Sequence, residues 1–281
     1  MFRIYGPSRH ILFVCPSSRK VYPLLTLTMS TAASQPLPEL PAASSSATPR
    51  FKLPAVSAHS DVHENEIKLR AIGRDFRSDT VTIPTDAMFV AMSRASRGDD
   101  VNTEDETTNS FQASIAALTG KEGALFVMSG TAGNQLALRT HLTAPPYSVL
   151  LDQRAHIHAN EAGALALLSG ATSLAIPPKN GKFLTWEDDV EPNLITDQED
   201  VHYCPTRVIC LENTLWGSVL PQEKIVKIST EARKRSIIIH LDGARIWNVA
   251  AKTGLSVKEL CEPFDTVSLC LSKGLGAPIG R

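Results

Sequence analysis

The sequence predicts an α/β fold in which a mostly parallel β-sheet is covered by helices on both faces. From Asp75 onward, segments with helical periodicity alternate with short apolar segments that are rich in β-branched residues. The apolar segments are nearly continuous, as expected for strands that are buried on both faces. Residues that could carry chemistry follow these strands directly, at the sheet edge where ligands bind in open α/β folds.

Each element is predicted from its own local pattern. Phe111, Ile115 and Leu118 recur at helical spacing, and Gly120 ends that helix. The other predicted helices are Asp86–Arg94, Asn134–Leu142, Ala162–Leu168 and Gln222–Arg235. The predicted strands are Ala124–Met128, Ser148–Asp152, Arg207–Glu212, Ser236–Asp242 and Thr266–Leu271.

Residues 1–50 differ in composition from the rest of the chain. They contain eight Ser, seven Pro and a single acidic residue, Glu39, so we expect a disordered leader. An arginine-bearing, serine-rich and acid-poor leader is also typical of an organelle transit peptide. The alternative is an untranslated leader upstream of Met29. Residues 51–74 are predicted to be a linker, and residues 75–281 the folded domain.

Bulk composition excludes several classes of function. Lys and Arg total 28 against 29 Asp and Glu, so no excess of positive charge is available to offset the phosphates of a nucleic acid. The five cysteines form no CxxC pair, which argues against a zinc site or disulfide framework, and Cys210 and Cys270 are expected in the core. This indicates a reducing compartment, the cytoplasm, or the mitochondrion if the leader is a transit peptide. The early apolar run Ile11–Cys15 is too short for a membrane span.

The turn Ser129-Gly130-Thr131 lies between a predicted strand and a predicted helix. Glycine lets the backbone approach an anion, and the helix N-terminus offers unpaired N–H groups and a partial positive charge. The motif therefore indicates a phosphate site, although an ordinary helix cap would use the same residues.

Asp242 and Lys273 each end an apolar strand. A carboxylate there is costly unless a cation pairs with it, which could be Arg245 or a cofactor ring. In enzymes that use pyridoxal 5'-phosphate (PLP), an aspartate holds the ring nitrogen protonated. A lysine at such a position loses hydration, which favours Schiff-base chemistry, unless its ammonium reaches the surface.

Two histidines, His156 and His158, follow another predicted strand, with Glu161 behind them. Either imidazole could stack on a cofactor ring, and the pattern does not choose between them. No third metal ligand lies nearby in sequence, so we expect no metal site here. The order of phosphate turn, histidine, aspartate and lysine suits the parts of a single cofactor.

The chain resembles the threonine aldolase family, most closely its fungal low-specificity members, from about Asp75 to Arg281. The family comprises PLP-dependent enzymes of the aspartate-aminotransferase-like fold (fold type I). The resemblance rests on seven motifs, which are Phe76-Arg77-Ser78-Asp79-Thr80-Val81-Thr82, Gly98-Asp99-Asp100-Val101, Ser129-Gly130-Thr131, Ala155-His156, Leu211-Glu212-Asn213-Thr214, His240-Leu241-Asp242-Gly243-Ala244-Arg245 and Cys270-Leu271-Ser272-Lys273-Gly274-Leu275-Gly276.

This resemblance implies cleavage of L-threonine or L-allo-threonine to glycine and acetaldehyde through a Schiff base with PLP, by a homodimer or homotetramer. It implies Lys273 as the residue that binds PLP covalently, Asp242 as the partner of the ring nitrogen, and His156 as the stacking residue. Lys273 and His156 would be catalytic. The implied cofactor contacts are Gly130, Thr131, His156, Asp242, Arg245, Ser272 and Lys273, and the implied substrate contacts are Ser78 and Arg245.

The sequence departs from the family pattern in four places, one of them Met128, where the family often has Pro or a small residue before the phosphate turn. Leu215-Trp216 stand where the family usually has a histidine near the substrate hydroxyl, and Asn102-Thr103 stand where it usually has Tyr-Gly. Family members also continue about a hundred residues beyond the lysine into a small C-terminal domain, which we expect this chain to lack. Two alternatives follow: a truncated or degenerate paralogue that at most binds PLP, and a PLP-dependent lyase or racemase acting on another amino acid.

Overall fold

The computed structural model of the protein describes residue 67 and residues 70–196 and 201–280. The predicted leader, residues 1–50, lies outside the described residues, as does most of the predicted linker. Within the described part, no helix has both the length and the apolar composition needed to cross a membrane.

The described residues form one five-stranded sheet with every strand parallel to its neighbours, in the order β2-β1-β3-β4-β5. The strands are β1 (Ser148–Asp152), β2 (Thr172–Ile176), β3 (Thr206–Glu212), β4 (Ile238–Gly243) and β5 (Thr266–Leu269). The helices are α1 (Asp86–Ser93), α2 (Glu106–Thr119), α3 (Gly130–His141), α4 (His156–Ala159), α5 (Ala164–Ser169), α6 (Gln222–Lys234), α7 (Ile246–Thr253) and α8 (Val257–Cys261). Short 3-10 turns lie at Asp79–Val81 and Glu191–Asn193, and a π-helical turn at Trp186–Val190. The prediction of a mostly parallel sheet flanked by helices is confirmed.

Two apolar cores lie on opposite faces of the sheet, because successive side chains of a strand point to opposite faces. Leu150, Ile209 and Ile239 belong to the core that includes α6 and Phe264. The other core packs under α3, and its members are Leu138, Leu142, Tyr147, Val149, Leu151, Ala155, Ile157, Leu165, Ala171, Val208 and Cys210. Cys210 and Cys270 are buried thiols, as expected.

One predicted strand is wrong: Ala124–Met128 has no regular secondary structure. Residues 123–127 lie across an apolar cavity of about 430 Å³ from β5. A strand needs a neighbour that accepts and donates its backbone hydrogen bonds. None of the described residues fills the space between this segment and β5, so the segment has strand composition without a partner. Conversely, β2, α4, α7 and α8 were not predicted from the sequence.

Candidate active site

A cavity of about 860 Å³ opens at the carboxyl ends of the strands. Its wall combines the segments that follow β1, β3, β4 and β5 with the N-terminus of α3, so it lies at the edge predicted from the sequence. Seven of the eight predicted site residues line it, namely Ser78, Gly130, Thr131, His156, Asp242, Arg245 and Lys273. Ser272 does not line it, and its hydroxyl lies 3.9 Å from the thiol sulfur of Cys270.

The N-terminus of α3 forms one wall of the cavity. Ser129 caps the helix, because its Oγ accepts a hydrogen bond from the backbone N–H of Ala132 at 3.1 Å. The N–H groups at the start of a helix have no partner within it, so those of Gly130 and Thr131 are suited to bind an anion. Gly133 lets the helix approach β5, since a Cβ at this position would lie 3.0 Å from Ser268 Oγ.

Asp242 lies at the end of β4 and is buried. Its Oδ2 accepts a hydrogen bond from Asn134 Nδ2 at 2.8 Å, and its Oδ1 accepts one from the backbone N–H of Ala244 at 3.1 Å. Both donors hold the carboxylate as an acceptor at the cavity wall. Arg245 does not pair with it, because the Arg245 guanidinium donates from Nε and Nη2 to Asp79 at 2.8 and 2.7 Å.

The structure distinguishes the two histidines. His156 lines the cavity, whereas His158 is exposed outside it and its Nδ1 lies 2.9 Å from Ser173 Oγ. His156 Nδ1 lies 2.9 Å from Glu161 Oε1. This hydrogen bond raises the pKa of His156, although partial burial opposes the effect.

Hydrogen bonds connect His156 to Glu161, Glu161 to Asn134, and Asn134 to Asp242. Burial alone would raise the pKa of Glu161, but hydrogen bonds from His156, Asn134 and Gln135 lower it on balance. Potential ligand atoms of His156, Glu161 and Asp242 all lie within 4.8 Å of one another, so β4 brings the third potential metal ligand that the local sequence did not show. The Asn134 amide already donates to both carboxylates, and this arrangement favours a hydrogen-bonded polar cluster over a cation site.

Lys273 follows β5 and is only 7% exposed. Its backbone carbonyl accepts hydrogen bonds from Thr82 Oγ1 at 2.6 Å and from the N–H of Gly276 at 2.9 Å, and Gly276 has a φ of +71°. This turn fixes the backbone at the cavity wall. Among the described residues, no side chain forms a hydrogen bond or an ion pair with Lys273 Nζ.

Glu212, the last residue of β3, lines the cavity but was not predicted as a site residue. It lies in register with Asp242 on the neighbouring strand, and its Oε2 accepts a hydrogen bond from the backbone N–H of His156 at 2.7 Å. Burial, and then the negative charge of Asp242, raise the pKa of Glu212 to about 7. A carboxyl group at the end of a buried strand is the same signal that identified Asp242, so the sequence could have revealed it.

Two of the departures from the family pattern, Leu215-Trp216 and Asn102-Thr103, lie in different surroundings. Trp216 is on the cavity wall, 76% exposed, at the tip of a two-residue turn closed by pairing of Leu215 with Ser218. Asn102 and Thr103 are exposed and do not line the cavity. Thr103 has a φ of +60°, a left-handed conformation suited to the glycine expected there.

Together, the parallel sheet flanked by helices and the cavity at the carboxyl ends of its strands are the arrangement of the fold type I class, whose members are PLP-dependent enzymes. The chain belongs to the beta-eliminating lyase family, which it matches over residues 75–281.

Curated relatives agree with this placement. The chain is 52% identical over 207 residues to the low-specificity L-threonine aldolase of Candida albicans, across 73% of this chain and 55% of that protein. It is 48% identical over 206 residues to the low-specificity L-threonine aldolase of Saccharomyces cerevisiae, across 73% of this chain and 53% of that protein. The chain thus spans about half the length of the curated relatives it matches.

A solved structure, that of Leishmania major threonine aldolase, superposes on the chain with a TM-score of 0.57. The sequences are 20% identical, and the superposition covers 67% of this chain and 55% of the other. At that identity the similarity shows the fold alone.

Proposed function

We propose that this cavity binds PLP and that the protein cleaves L-threonine and L-allo-threonine to glycine and acetaldehyde. The observation that carries the proposal is the convergence of Lys273, Asp242, His156 and the N-terminus of α3 on one cavity. The fungal relatives named as threonine aldolases support the choice of substrate.

The donors and acceptors of the cavity fit the parts of PLP. Gly130 and Thr131 would hold the phosphate at the positive end of α3. Asp242 would face the ring nitrogen, His156 the ring surface, and Lys273 the aldehyde carbon. Bound PLP supplies an electron sink that stabilises the negative charge left on Cα when one of its bonds breaks.

The protein's own groups would orient the substrate and move its protons. Lys273 Nζ is a buried amine that can hold a proton at Cα. Arg245 keeps its Nη1 hydrogens for a substrate carboxylate, since Asp79 engages only Nε and Nη2, and Ser78 lies on the same wall. Glu212 and His156 are the candidates for removing the proton from the β-hydroxyl oxygen. The pKa of about 7 places Glu212 near the optimum for such transfer at neutral pH.

The proposal is tested by reconstitution with PLP. Covalent binding to Lys273 should produce a visible absorption band, which Lys273→Ala should abolish and Lys252→Ala, at an exposed position of α7, should leave unchanged. A band that persists in Lys273→Ala would refute the assignment of the lysine.

The reaction is tested separately by coupling acetaldehyde release from each threonine isomer to its enzymatic reduction. Acetaldehyde formation in equal amount to glycine supports an aldolase. A band without acetaldehyde would refute the aldolase proposal and support a PLP-binding protein without this activity.

We also propose that the protein assembles as a homodimer or homotetramer. Phe76, Val101 and Met128 are large apolar side chains that are at least 80% exposed, and each would lose contact with water if it were buried against a second copy of the chain. Light scattering coupled to size exclusion measures the assembly, and a monomer at micromolar concentration would refute this proposal.

A further inference from the structure

A chain of hydrogen bonds, partly buried at His141 and Thr266 and fully buried beyond them, leads from the C-terminal end of α3 to the candidate active site. His141 Nε2 lies 3.1 Å from Thr266 Oγ1, and the same hydroxyl lies 2.9 Å from His240 Nδ1. His240 Nε2 lies 3.1 Å from Asn134 Oδ1. His240 and Asn134 are both almost completely inaccessible to solvent. This polar path therefore crosses the interface between α3 and the sheet.

At Asn134 the path divides between two carboxylates of the site. Asn134 Nδ2 donates to Asp242 Oδ2 at 2.8 Å and to Glu161 Oε1 at 2.9 Å. Glu161 Oε1 in turn lies 2.9 Å from His156 Nδ1. One amide group thus contacts the acceptor for the ring nitrogen and the carboxylate that orients the stacking histidine.

The fold brings these residues together through three regular spacings. Asn134 and His141 are seven residues apart and lie on one face of α3. His240 and Asp242 are two residues apart on β4 and share the sheet face toward α3. Thr266 of β5 lies in register with His240.

The direction of each hydrogen bond follows from the carboxylates. Both N–H groups of Asn134 point to carboxylate oxygens, so its Oδ1 must face His240 and accept a hydrogen bond from Nε2–H. Burial, together with His141 nearby, lowers the pKa of His240 to about 3, so the ring is neutral and carries one proton. Nδ1 is then bare and accepts from the Thr266 hydroxyl.

We infer that His240 is a positioning residue: its Nε2–H fixes the Asn134 amide so that Asp242 is held as an acceptor for the cofactor ring nitrogen. Without that donor the buried Oδ1 of Asn134 loses its hydrogen-bond partner, and only the two carboxylates still orient the amide. The hydrogen bond from Asn134 Nδ2 to Asp242 Oδ2 would then weaken, which leaves the backbone N–H of Ala244 as the well-oriented donor to this carboxylate. This inference rests on the proposed PLP function only for its last step, the effect on the ring nitrogen.

The first experiment does not need the cofactor. Nitrogen-15 NMR of the histidine rings in the cofactor-free protein reports which nitrogen of His240 carries the proton, and His240→Gln identifies its signals by their loss. We expect a protonated Nε2 and a bare Nδ1 at neutral pH. A proton on Nδ1 would overturn the inference whether or not the protein binds PLP.

The second experiment compares variants of the relay in the presence of PLP labelled with nitrogen-15 in the ring. His240→Leu removes the donor and retains apolar volume, whereas the amide of His240→Gln can replace Nε2–H. We expect PLP binding in His240→Leu to weaken about tenfold, equal to about 1.4 kcal/mol. The ring-nitrogen signal should move toward the unprotonated position, and His240→Gln should restore both properties to near the parent values.

Thr266→Val serves as a second test because it is nearly isosteric and leaves the core volume unchanged. It removes the hydroxyl that donates to His240 Nδ1 and leaves the hydrogen bond from Nε2 to Asn134 in place, so we expect a smaller change in the same direction. An unchanged ring-nitrogen signal in both His240→Leu and Thr266→Val would overturn the inference while leaving the proposed function intact. Failure of the parent protein itself to bind PLP would refute the proposed function and the cofactor step together.

Discussion

Replacing Glu212 by glutamine should make the stability of the cofactor-free protein less dependent on pH. The carboxyl group has an ordinary pKa of 4.5, and burial and the charge of Asp242 raise it to about 7 in the folded protein. Between these two values the folded chain binds more protons at this site than the unfolded chain does. The free energy of unfolding therefore falls as pH rises from about 4.5 to about 7, and the full loss remains at higher pH.

The size of the effect follows from the two pKa values. A difference of about 2.5 at 1.36 kcal/mol for each pKa unit gives about 3 kcal/mol, which is an upper limit because water still reaches part of the cavity. Glutamine keeps an oxygen that can accept the hydrogen bond from the backbone N–H of His156, but it carries no charge. We therefore expect Glu212→Gln to be more stable than the parent by about 2–3 kcal/mol well above neutral pH, and nearly equal to it below pH about 4.

Urea unfolding of the two proteins across this pH range, followed by circular dichroism, measures the difference. Glu122→Gln is the matched control, because Glu122 is exposed and lies outside the cavity that contains Glu212. A difference that does not vary with pH, or a variant that is less stable than the parent above neutral pH, would refute the reasoning.

Three further substitutions test other parts of the fold by urea unfolding. Gly98→Ala should lower stability by about 1–3 kcal/mol, because its Cβ would lie 2.3 Å from the backbone oxygen of Glu104; an unchanged midpoint would show that the loop opens freely. Thr103→Gly should raise stability by about 0.5–1 kcal/mol, since it relieves a left-handed conformation at some entropic cost, and a loss would contradict this account. Asp79→Asn should lower the free energy of unfolding by about 1–2 kcal/mol at pH 7, a value between those of exposed and buried ion pairs. This loss should largely vanish in an Arg245→Met background, because the ion pair is already absent there.

The strands that the sequence predicted correctly share a local signal. Ser148–Asp152 and the strand that ends at Glu212 are short segments in which nearly every residue is apolar. Their own composition therefore predicts burial on both faces of the sheet. Ala124–Met128 has the same composition but does not form a strand, because strand formation also needs a neighbouring strand at hydrogen-bonding distance. That requirement is non-local, and composition does not reveal it.

The candidate site shows the same division between local and non-local information. Lys273 and Asp242 were found because each is a charged residue at the end of an apolar strand. Asn134 was not predicted as a site residue, since an asparagine in the middle of a helix is usually exposed to solvent. Its function depends on which strands pass beneath α3, and only the fold shows that His240 and Asp242 do so.

The charges of the cavity wall explain why Lys273 and Asp242 remain available to a ligand. Each arginine of the wall pairs with an aspartate, and the pairs are Arg77–Asp75, Arg154–Asp152 and Arg245–Asp79. Glu212, with its pKa raised to about 7, is largely neutral at slightly acidic pH. The wall then offers the amine of Lys273, which no described side chain engages, and the carboxylate of Asp242, which neutral donors hold without cancelling its charge. A ligand with a carbonyl carbon and a ring nitrogen that can be protonated satisfies both groups at once, whereas a simple anion or a simple cation satisfies only one.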